Sequence, residues 1–584
     1  MSKNTNKTVR ADAAPKTVET VQKRCEFEYV VVNLICLFVF LAFGYIAVMS
    51  FIQTSTIDPE KYSTENILYS NDIVPLNILY TVGFIAILFA LRRFYDFFAR
   101  VNITIMEIAL AALTLTLGLI WIFSVRSVPA ADSANIFDAA TGAAKDDYTA
   151  MQSNSLFYNH AFYKDFSYFH LYPFQLGFVF ICEIIYRIFG TDSSMPVQVI
   201  NVMCVSATYF ALARITKLLF KRKSIEFIAI LLLMVCFQPI LFCTFAYGNI
   251  MGMCAAVWAT LLLIKYFQTG MYRWAVISGG LLVLSTLAKY NNMIYLIAFV
   301  IVLAVHIVKA KKWQSAVIAA AFILAVLGSN FLIVKIYEAR ADMQYESGVS
   351  QVMYLDMGMQ ESYMAPGWYT TTGKDIYINS YLVPKLGKGL DVTIADANEV
   401  AWEGINRRTE AFGEDFNYTL DFFSKKILSQ WNEPTYESIW VSKVKQHEAT
   451  EEESERLHAA NGRISSQQMD GLVKSVYYKS TGQFLELFFN LYMQVIYIMF
   501  AAGIYLLFIH KKTNIETVIL PLVLLGAFGY HLLFEGKSQY ILTYIPLLIP
   551  TAAYTFGVML GGKYEKIRKA VKRINSIPNK FNDN

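Results

Sequence analysis

Cysteine is scarce in this chain and absent from its largest polar segment. The 584 residues contain seven cysteines, and none of them lies within residues 337–484. That segment therefore has no disulfide framework, which is typical of extracytoplasmic domains in Gram-positive bacteria. The cysteines are scattered through apolar stretches without the spacing of a metal site, so we predict that they are small core residues.

Charge and familiar enzyme motifs are also sparse. Charged residues make up 16% of the chain. The sequence has no P-loop, dinucleotide-binding fingerprint, zinc motif or nucleophile elbow, and no internal repeat. The net charge of +5 comes from short basic clusters beside apolar runs, so it does not indicate nucleic-acid binding. Function must therefore be argued from the positions of the few polar side chains.

Apolar residues, by contrast, are abundant and occur in long runs. The chain is 56% hydrophobic, with a mean hydropathy of +0.41. Runs such as Tyr29–Phe51 are long enough to cross the roughly 30 Å of a bilayer's hydrocarbon core. The sequence predicts an all-α polytopic membrane protein with about twelve transmembrane helices. The predicted spans are 28–52, 73–91, 103–124, 195–218, 225–246, 249–267, 273–289, 292–309, 314–336, 485–509, 515–534 and 539–560.

Basic residues indicate how the spans are oriented. Clusters such as Arg92–Arg93, Lys217–Lys223 and Lys563–Arg573 all fall on one side of the predicted topology. The acidic loop 53–72 and the segment 337–484 fall on the other side. Because basic loops remain cytoplasmic, we expect a multi-pass protein of the cell membrane with both termini cytoplasmic.

The apolar segment 171–189 is a special case. Its residues Tyr172, Gln175, Glu183 and Arg187 fall on one face at helical spacing. A polar stripe favours a helix lying in the membrane interface, and a further span would place later basic clusters outside. We therefore predict an amphipathic surface helix here, one of two in the outer loop 125–194.

The sequence divides into five predicted regions. The central polar region is expected to be a small α or α+β module, with a helical pattern at Glu451–Ala460. The regions are a disordered cytosolic tail (1–27), an N-terminal transmembrane domain containing the outer loop (28–336), an extracytoplasmic domain (337–484), C-terminal transmembrane helices (485–560) and a basic cytosolic tail (561–584).

Asp132 is the first candidate for chemistry. It follows the end of the third span and begins a predicted surface helix. An aspartate at the membrane boundary can accept a proton from a hydroxyl group while a lipid substrate lies alongside. The alternative is that Asp132 simply caps the helix that follows.

Other polar residues follow span ends on the same predicted side. Lys289 lies between spans seven and eight, and Glu535 and Lys537 lie between spans eleven and twelve. A lysine on this side is unusual, because basic residues concentrate in cytoplasmic loops. Instead of binding a substrate, Lys289 could simply extend to the lipid head groups. Glu535 and Lys537 could instead belong to a solvated turn. An acid, two lysines and several tyrosines would together suit a lipid-phosphate sugar, because lysine binds phosphate and aromatic rings stack on sugars.

These motifs, in this order, resemble a known family. The chain resembles the C-fold (GT-C) membrane glycosyltransferases, specifically the bacterial protein-mannosyltransferase-like and aminoarabinose-transferase-like group (glycosyltransferase family 39-like). The similarity covers about 103–336 and 485–560. It rests on Asp132, Tyr172-Pro173 with Phe189-Gly190, Tyr247-Gly248-Asn249, Leu287-Ala288-Lys289, Glu535 to Tyr540 and Tyr544-Ile545-Pro546.

The resemblance implies roles for particular residues. It implies that Asp132 is the catalytic base and that Lys289 and Lys537 bind the phosphate of a polyprenyl-phosphate sugar. Asn249 stands where many family members have an acid, and Gln539 stands where they often have arginine. The predicted substrate-binding residues are Tyr168, His170, Tyr172, Gln175, Tyr247, Asn249, Glu535, Gln539 and Tyr540.

The predicted activity is an inverting transfer of a sugar from the polyprenyl-phosphate carrier to a hydroxyl group. The acceptor would be a cell-surface glycopolymer, glycolipid or protein, reached at an active site on the extracellular face of the membrane. No cofactor is predicted, and a divalent metal stays open because Asp132 alone offers too few ligands. Two other functions remain possible: a transporter or flippase of lipid-linked sugars, and a non-catalytic accessory subunit of cell-wall glycosylation.

Trp431 and Tyr436 are a further candidate pair in the extracytoplasmic segment. An exposed Trp/Tyr pair would suit stacking on an acceptor sugar. The alternative is ordinary packing in the core of the domain.

Overall fold

A computed structural model describes residues 26–58, 65–152, 167–191, 193–311, 313–444, 471–510 and 513–561. The predicted tails, up to residue 25 and from residue 562, lie outside these described residues, as does the predicted helical pattern Glu451–Ala460. Among the described residues, nine helices are long and apolar enough to cross a membrane, or ten if a bent pair counts as one span. Two shorter apolar helices complete the set. The prediction of an all-α polytopic membrane protein is confirmed.

The twelve predicted spans all correspond to helices. Span five is bent by 43° where Lys223–Met234 meets Gln238–Thr244. Spans two and seven are the shorter apolar helices. The helices, in the order of spans one to twelve, are Glu26–Met49, Val74–Leu91, Ile103–Val125, Met195–Phe220, the bent pair, Asn249–Thr269, Tyr272–Ala288, Tyr290–Ala310, Gln314–Ala341, Ser480–Ile509, Ile515–Leu533 and Ser538–Gly561.

The outer loop between spans three and four holds the two predicted surface helices, Asp132–Ala144 and Leu176–Phe189. Shorter helical turns lie between them, at Thr149–Gln152, Tyr168–Leu171 and Pro173–Gln175. On the second surface helix Glu183 accepts hydrogen bonds from Tyr337 and from Arg340 at the end of span nine, at 2.5 and 2.7 Å. Glu183 therefore faces protein partners. The helix begins at Leu176, so Tyr172 and Gln175, which the prediction for 171–189 placed in the same stripe, lie before it.

The loop between spans one and two forms a short hairpin. Strand Gln53–Ile57 pairs antiparallel with Ile67–Asn71, with Ile57 opposite Ile67. The hairpin packs on the segment between spans nine and ten, because Ile67 N–H donates to the Met364 carbonyl at 2.9 Å. The buried side chains Ile67, Ala365 and Trp368 form a shared apolar cluster.

The described residues between spans nine and ten are helical, with no strand among them. Two of the helices have clear start signals: Thr393 and Asp396 form a capping box, and Asp415 accepts hydrogen bonds from Asn417 and Tyr418 N–H. The helices are Gln351–Met359, Thr372–Tyr377, the wider-wound Ile378–Gly387, Ile394–Glu414, Phe416–Trp431, Trp440–Val444 and Gly471–Tyr478.

This segment is packed into the transmembrane core. Trp431 is buried edge-on against Phe43 of span one, with ring centroids 5.2 Å apart. Tyr436 is also buried, and its hydroxyl lies 2.7 Å from that of Tyr497 in span ten. These two aromatic residues therefore pack in the core and are not exposed for stacking on a sugar.

Candidate functional site

Asp132 is the first helical residue of its surface helix. The preceding residue, Ala131, occupies the N-cap position with a φ of +48°, a left-handed conformation that side-chain-bearing residues rarely adopt. Ser133 holds this turn by donating to the Ala130 carbonyl at 2.8 Å. Such strain is typical of functional sites. Asp132 is exposed at the helix start, where the helix dipole favours its negative charge.

Lys289 ends the helix of span seven, and the loop before span six packs directly against it. Gly248 lies so close to Ala288 that a methyl group would overlap the Ala288 carbonyl oxygen. Gly252, one turn into span six, would similarly place a methyl group 3.1 Å from the Lys289 Cβ. These two glycines allow spans six and seven to approach closely, and this approach places Lys289 beside Tyr247.

The Lys289 ammonium lies between aromatic rings. Its Nζ is 4.3 Å from the centroid of Tyr247 and 5.3 Å from that of Tyr540, distances suited to cation–π attraction. Within the described part of the chain, no carboxylate lies within salt-bridge distance of this Nζ. Burial lowers the Lys289 pKa to about 8, although the charges of Asp132 and Glu535 oppose the shift.

Glu535 is the second carboxylate near Lys289. Its Oε1 accepts a hydrogen bond from the Tyr540 hydroxyl at 3.2 Å. Burial raises the pKa of Glu535, the charge of Asp132 raises it further, and Lys537 opposes the shift. The two carboxylates therefore interact with each other and with Lys289. Among the described residues, no group of three or more His, Cys, Asp or Glu side chains could hold a metal ion.

Tyrosines form the wall of the site between Asp132 and Lys289. Tyr168 and Tyr172 pack with ring centroids 4.9 Å apart. Burial raises the pKa of both hydroxyl groups well above the usual value, and the charge of Asp132 adds to the shift. Gln175 donates a hydrogen bond to the Tyr247 hydroxyl. The wall therefore presents neutral rings and hydroxyl groups beside the charged side chains.

Asn249 and Gln539 connect the two loops on either side of Lys289. The Asn249 amide nitrogen donates to the Gln539 carbonyl at 3.4 Å. The Asn249 side-chain oxygen is buried and has no hydrogen-bond partner within the described structure. Leaving such a buried acceptor unpaired costs free energy.

Residues 175–330 match the family model described as dolichyl-phosphate-mannose-protein mannosyltransferase. The chain carries a protein-mannosyltransferase-like segment. This protein-mannosyltransferase-like segment contains Gln175, Tyr247, Asn249 and Lys289, so it supplies one side of the site. The resemblance inferred from the sequence is confirmed for this part of the chain.

Solved structures and curated sequences were also compared with this chain. The solved structure of archaeal oligosaccharyltransferase AglB from Archaeoglobus fulgidus, in complex with an inhibitory peptide and a dolichol-phosphate, is similar over 82% of this chain, with 13% identity and a TM-score of 0.37. This chain spans 52% of the length of that protein. A search of curated protein sequences found no match.

His170 contacts its own loop and the segment that follows span nine. Its Nδ1 accepts a hydrogen bond from Ser167 N–H at 3.1 Å, and its ring packs against Tyr345 with centroids 5.2 Å apart. Burial lowers the pKa of His170, although Ser167 and Glu346 oppose the shift. His170 thus stabilises the start of a short helix that precedes the protein-mannosyltransferase-like segment. Its predicted role in substrate binding stays a prediction.

Lys537 has carboxylate partners that sequence reasoning missed. Glu65, from the hairpin between spans one and two, forms an ion pair with Lys537. Glu437 accepts hydrogen bonds from the Ser538 hydroxyl at 2.9 Å and from Gln539 N–H at 3.1 Å. Burial alone would lower the Lys537 pKa, but Glu65, Glu437 and Glu535 together raise it. Lys537 therefore stays charged and paired.

Lys426 is a second residue that sequence reasoning missed. It is fully buried, and its ammonium donates to the carbonyl groups of Gly358 and Phe534, the latter at 2.9 Å. Burial lowers the Lys426 pKa to about 7, while Glu535 opposes the shift. Lys426 thereby connects the turn that carries Glu535 and Lys537 to the helices between spans nine and ten. Only long-range contacts reveal this role, since the local sequence indicates an ordinary surface lysine.

Proposed function

We propose that this chain is an inverting membrane glycosyltransferase that moves a sugar from a polyprenyl-phosphate carrier to an acceptor hydroxyl group. The observation that carries the proposal is the environment of Lys289. This lysine lies between tyrosine rings, interacts with Asp132 and Glu535, and has no ion-pair partner within the described structure. A lysine in that setting suits a phosphate group, and the surrounding rings suit a sugar.

The reaction needs few groups. The acceptor oxygen attacks the anomeric carbon while the bond from that carbon to the phosphate oxygen breaks. Asp132 takes the acceptor proton, and Lys289 stabilises the negative charge that develops on the departing phosphate. Because the attacking oxygen enters opposite the leaving group, the anomeric configuration inverts. Polyprenyl phosphate and the new glycoside are the products.

The setting of the site supports a lipid-linked donor. Asp132 begins a surface helix, and Lys289 and Glu535 follow the ends of spans, so the reacting groups lie where a membrane lipid can present its head group. We propose that this end of the bundle faces the outside of the cell. The acceptor is then a hydroxyl group of a cell-surface glycopolymer, glycolipid or protein.

Sugar transfer by purified protein tests the proposal. The assay uses extracted polyprenyl-phosphate sugars with wild type, Asp132→Asn and, as matched control, Asp138→Asn from the same surface helix. General-base assistance contributes about 10²- to 10⁴-fold, so we expect a loss of this size in Asp132→Asn alone. Equal transfer by Asp132→Asn and wild type would contradict the role of Asp132. Donor binding without transfer in all three would favour the transporter or accessory function.

A further inference from the structure

Spans one and two precede the part of the chain that resembles the glycosyltransferases, and the proposed reaction gives them no role. The hairpin between them is nevertheless firmly placed. Ser55 N–H donates to the Asn432 carbonyl at 3.2 Å, and the Ser55 hydroxyl donates to the Leu428 carbonyl at 2.8 Å. With the Ile67 cluster described above, these bonds hold the end of the hairpin beside the site.

Glu65 is the residue that this hairpin brings to the site. Its carboxylate pairs with the Lys537 ammonium, and both residues are at most 9% exposed. Lys537 also interacts with Glu437, whose turn is strained: Tyr436 and Glu437 have φ values of +51° and +59°. Two carboxylates thus surround a lysine that would otherwise be available to a bound anion.

Lys537 is close enough to the site for this pairing to matter. It is two residues from Glu535, whose carboxylate accepts a hydrogen bond from the Tyr540 hydroxyl at 3.2 Å, and the Tyr540 ring centroid lies 5.3 Å from the Lys289 Nζ. With Lys537 compensated by Glu65, Lys289 is the cation that faces the tyrosine-lined space without a carboxylate partner in the described residues. One such lysine matches a sugar phosphodiester, which carries a single negative charge. A carrier diphosphate carries more charge and would need a second cation.

We infer that Glu65, supplied by the hairpin between spans one and two, is a specificity-determining residue that makes the site select a carrier monophosphate over a carrier diphosphate. The inference rests on the proposed function, since it assumes that the donor phosphate binds at Lys289. It also gives spans one and two a role: they hold the hairpin that compensates Lys537.

Lipid binding tests this inference without depending on transfer. The probes are undecaprenyl-phosphate mannose, a phosphodiester with one negative charge, and undecaprenyl-diphosphate mannose, which carries more charge. Native mass spectrometry of the full-length protein in detergent gives the ratio of their dissociation constants. In Glu65→Gln we expect the ratio to shift towards the diphosphate by about tenfold, the change expected from one additional charge-assisted contact. The exposed control Glu399→Gln should keep the wild-type ratio. An unchanged ratio in a folded Glu65→Gln variant would overturn the inference.

Two more variants keep the test decisive if Glu65→Gln folds poorly. Glu65→Asp keeps the carboxylate and should keep the wild-type preference for the monophosphate. Glu65→Gln combined with Lys537→Gln removes both charges and should also restore that preference. Loss of undecaprenyl-phosphate mannose binding in the double variant would show that Lys537 binds the monophosphate, and would overturn the inference.

The outcomes also separate this inference from the proposed function. A shifted binding ratio without sugar transfer by any variant would support the role of Glu65 and contradict the glycosyltransferase. Transfer by wild type with the same lipid preference in every Glu65 variant would support the glycosyltransferase and overturn the role of Glu65.

Discussion

At the residue scale, the environment of the Lys289 side chain is the main support for the proposed phosphate binding. A surface lysine has a pKa near 10.4, far above neutral pH. Here burial lowers the pKa to about 8, while the charges of Asp132 and Glu535 limit the shift. The ammonium is therefore mostly protonated at neutral pH, yet it is only weakly compensated. Both properties suit a residue that must attract a phosphate group.

The Lys289 pKa predicts how the transfer rate depends on pH. As pH rises through about 8, Lys289 in the free protein loses its proton and its attraction for phosphate, so kcat/KM for the donor should fall. Lys289→Arg keeps its charge and should remove this basic limb, although its overall rate will differ. The measurement is the pH profile of kcat/KM for wild type and Lys289→Arg. The same basic limb in both proteins would contradict this role for Lys289.

The residues that the sequence pointed to are those at the ends of spans. Asp132, Lys289 and Glu535 were predictable because each follows an apolar run on the same side of the topology. Glu65 could not be predicted, because it lies 472 residues from its partner Lys537 in the sequence. Its own loop was recognisable only as an acidic loop. Such a pair depends on tertiary packing, about which local patterns carry no information.

At the scale of elements, the close approach of spans six and seven positions Lys289. This approach requires a residue without a side chain at Gly248, because the Ala288 carbonyl oxygen occupies the space where a Cβ would lie. Backbone cannot move aside as a flexible side chain can. The contact therefore connects the packing of two membrane helices to the geometry of the site.

We expect Gly248→Ala to lower both the melting temperature and the transfer rate, since the loop must move away from Lys289. The cost of such overpacking is typically about 1–3 kcal/mol. Gly280→Ala is the matched control, because Gly280 lies in span seven with no atom within 4 Å of the added methyl group. The measurement is thermal unfolding in detergent beside the transfer assay. Equal melting temperatures for the two variants would contradict the packing argument.

The second surface helix illustrates what periodicity can and cannot predict. Its polar stripe was predicted from the spacing of Tyr172, Gln175, Glu183 and Arg187, but the helix begins at Leu176 and holds only the last two. The partners of the stripe could not be predicted. Glu183 binds Arg340 from the end of span nine, and Arg187 binds Asp146 at 2.8 Å. The pattern identified the face of the helix, whereas the tertiary fold determined what that face contacts.

At the scale of the whole molecule, alternate connections between spans meet at the same end. Tyr247, Lys289 and Glu535 come from three such connections and form one site. The intervening connections meet elsewhere: Glu28, at the start of span one, accepts from Lys309 at the end of span eight at 3.0 Å. This arrangement agrees with twelve spans, and it supports the proposed orientation because the basic loops lie at the end away from the site.

Cysteine labelling in intact cells tests that orientation. Leu390 is exposed in the segment between spans nine and ten, and Lys311 is exposed between spans eight and nine. In a cysteine-free background, Leu390→Cys should react with a membrane-impermeant maleimide, whereas Lys311→Cys should react only after the cells are lysed. The reverse pattern would place the site on the cytoplasmic face.

In the proposed reaction the sugar leaves a polyprenyl-phosphate carrier in a single displacement. The most direct measurement follows one reaction of the purified protein with a polyprenyl-phosphate sugar of known anomeric configuration. Mass spectrometry quantifies the released polyprenyl phosphate, and NMR reads the configuration of the product. We expect equal amounts of released carrier and glycoside, with the configuration inverted. A product that retains the configuration, or donor that binds without releasing its carrier, would contradict the proposed reaction.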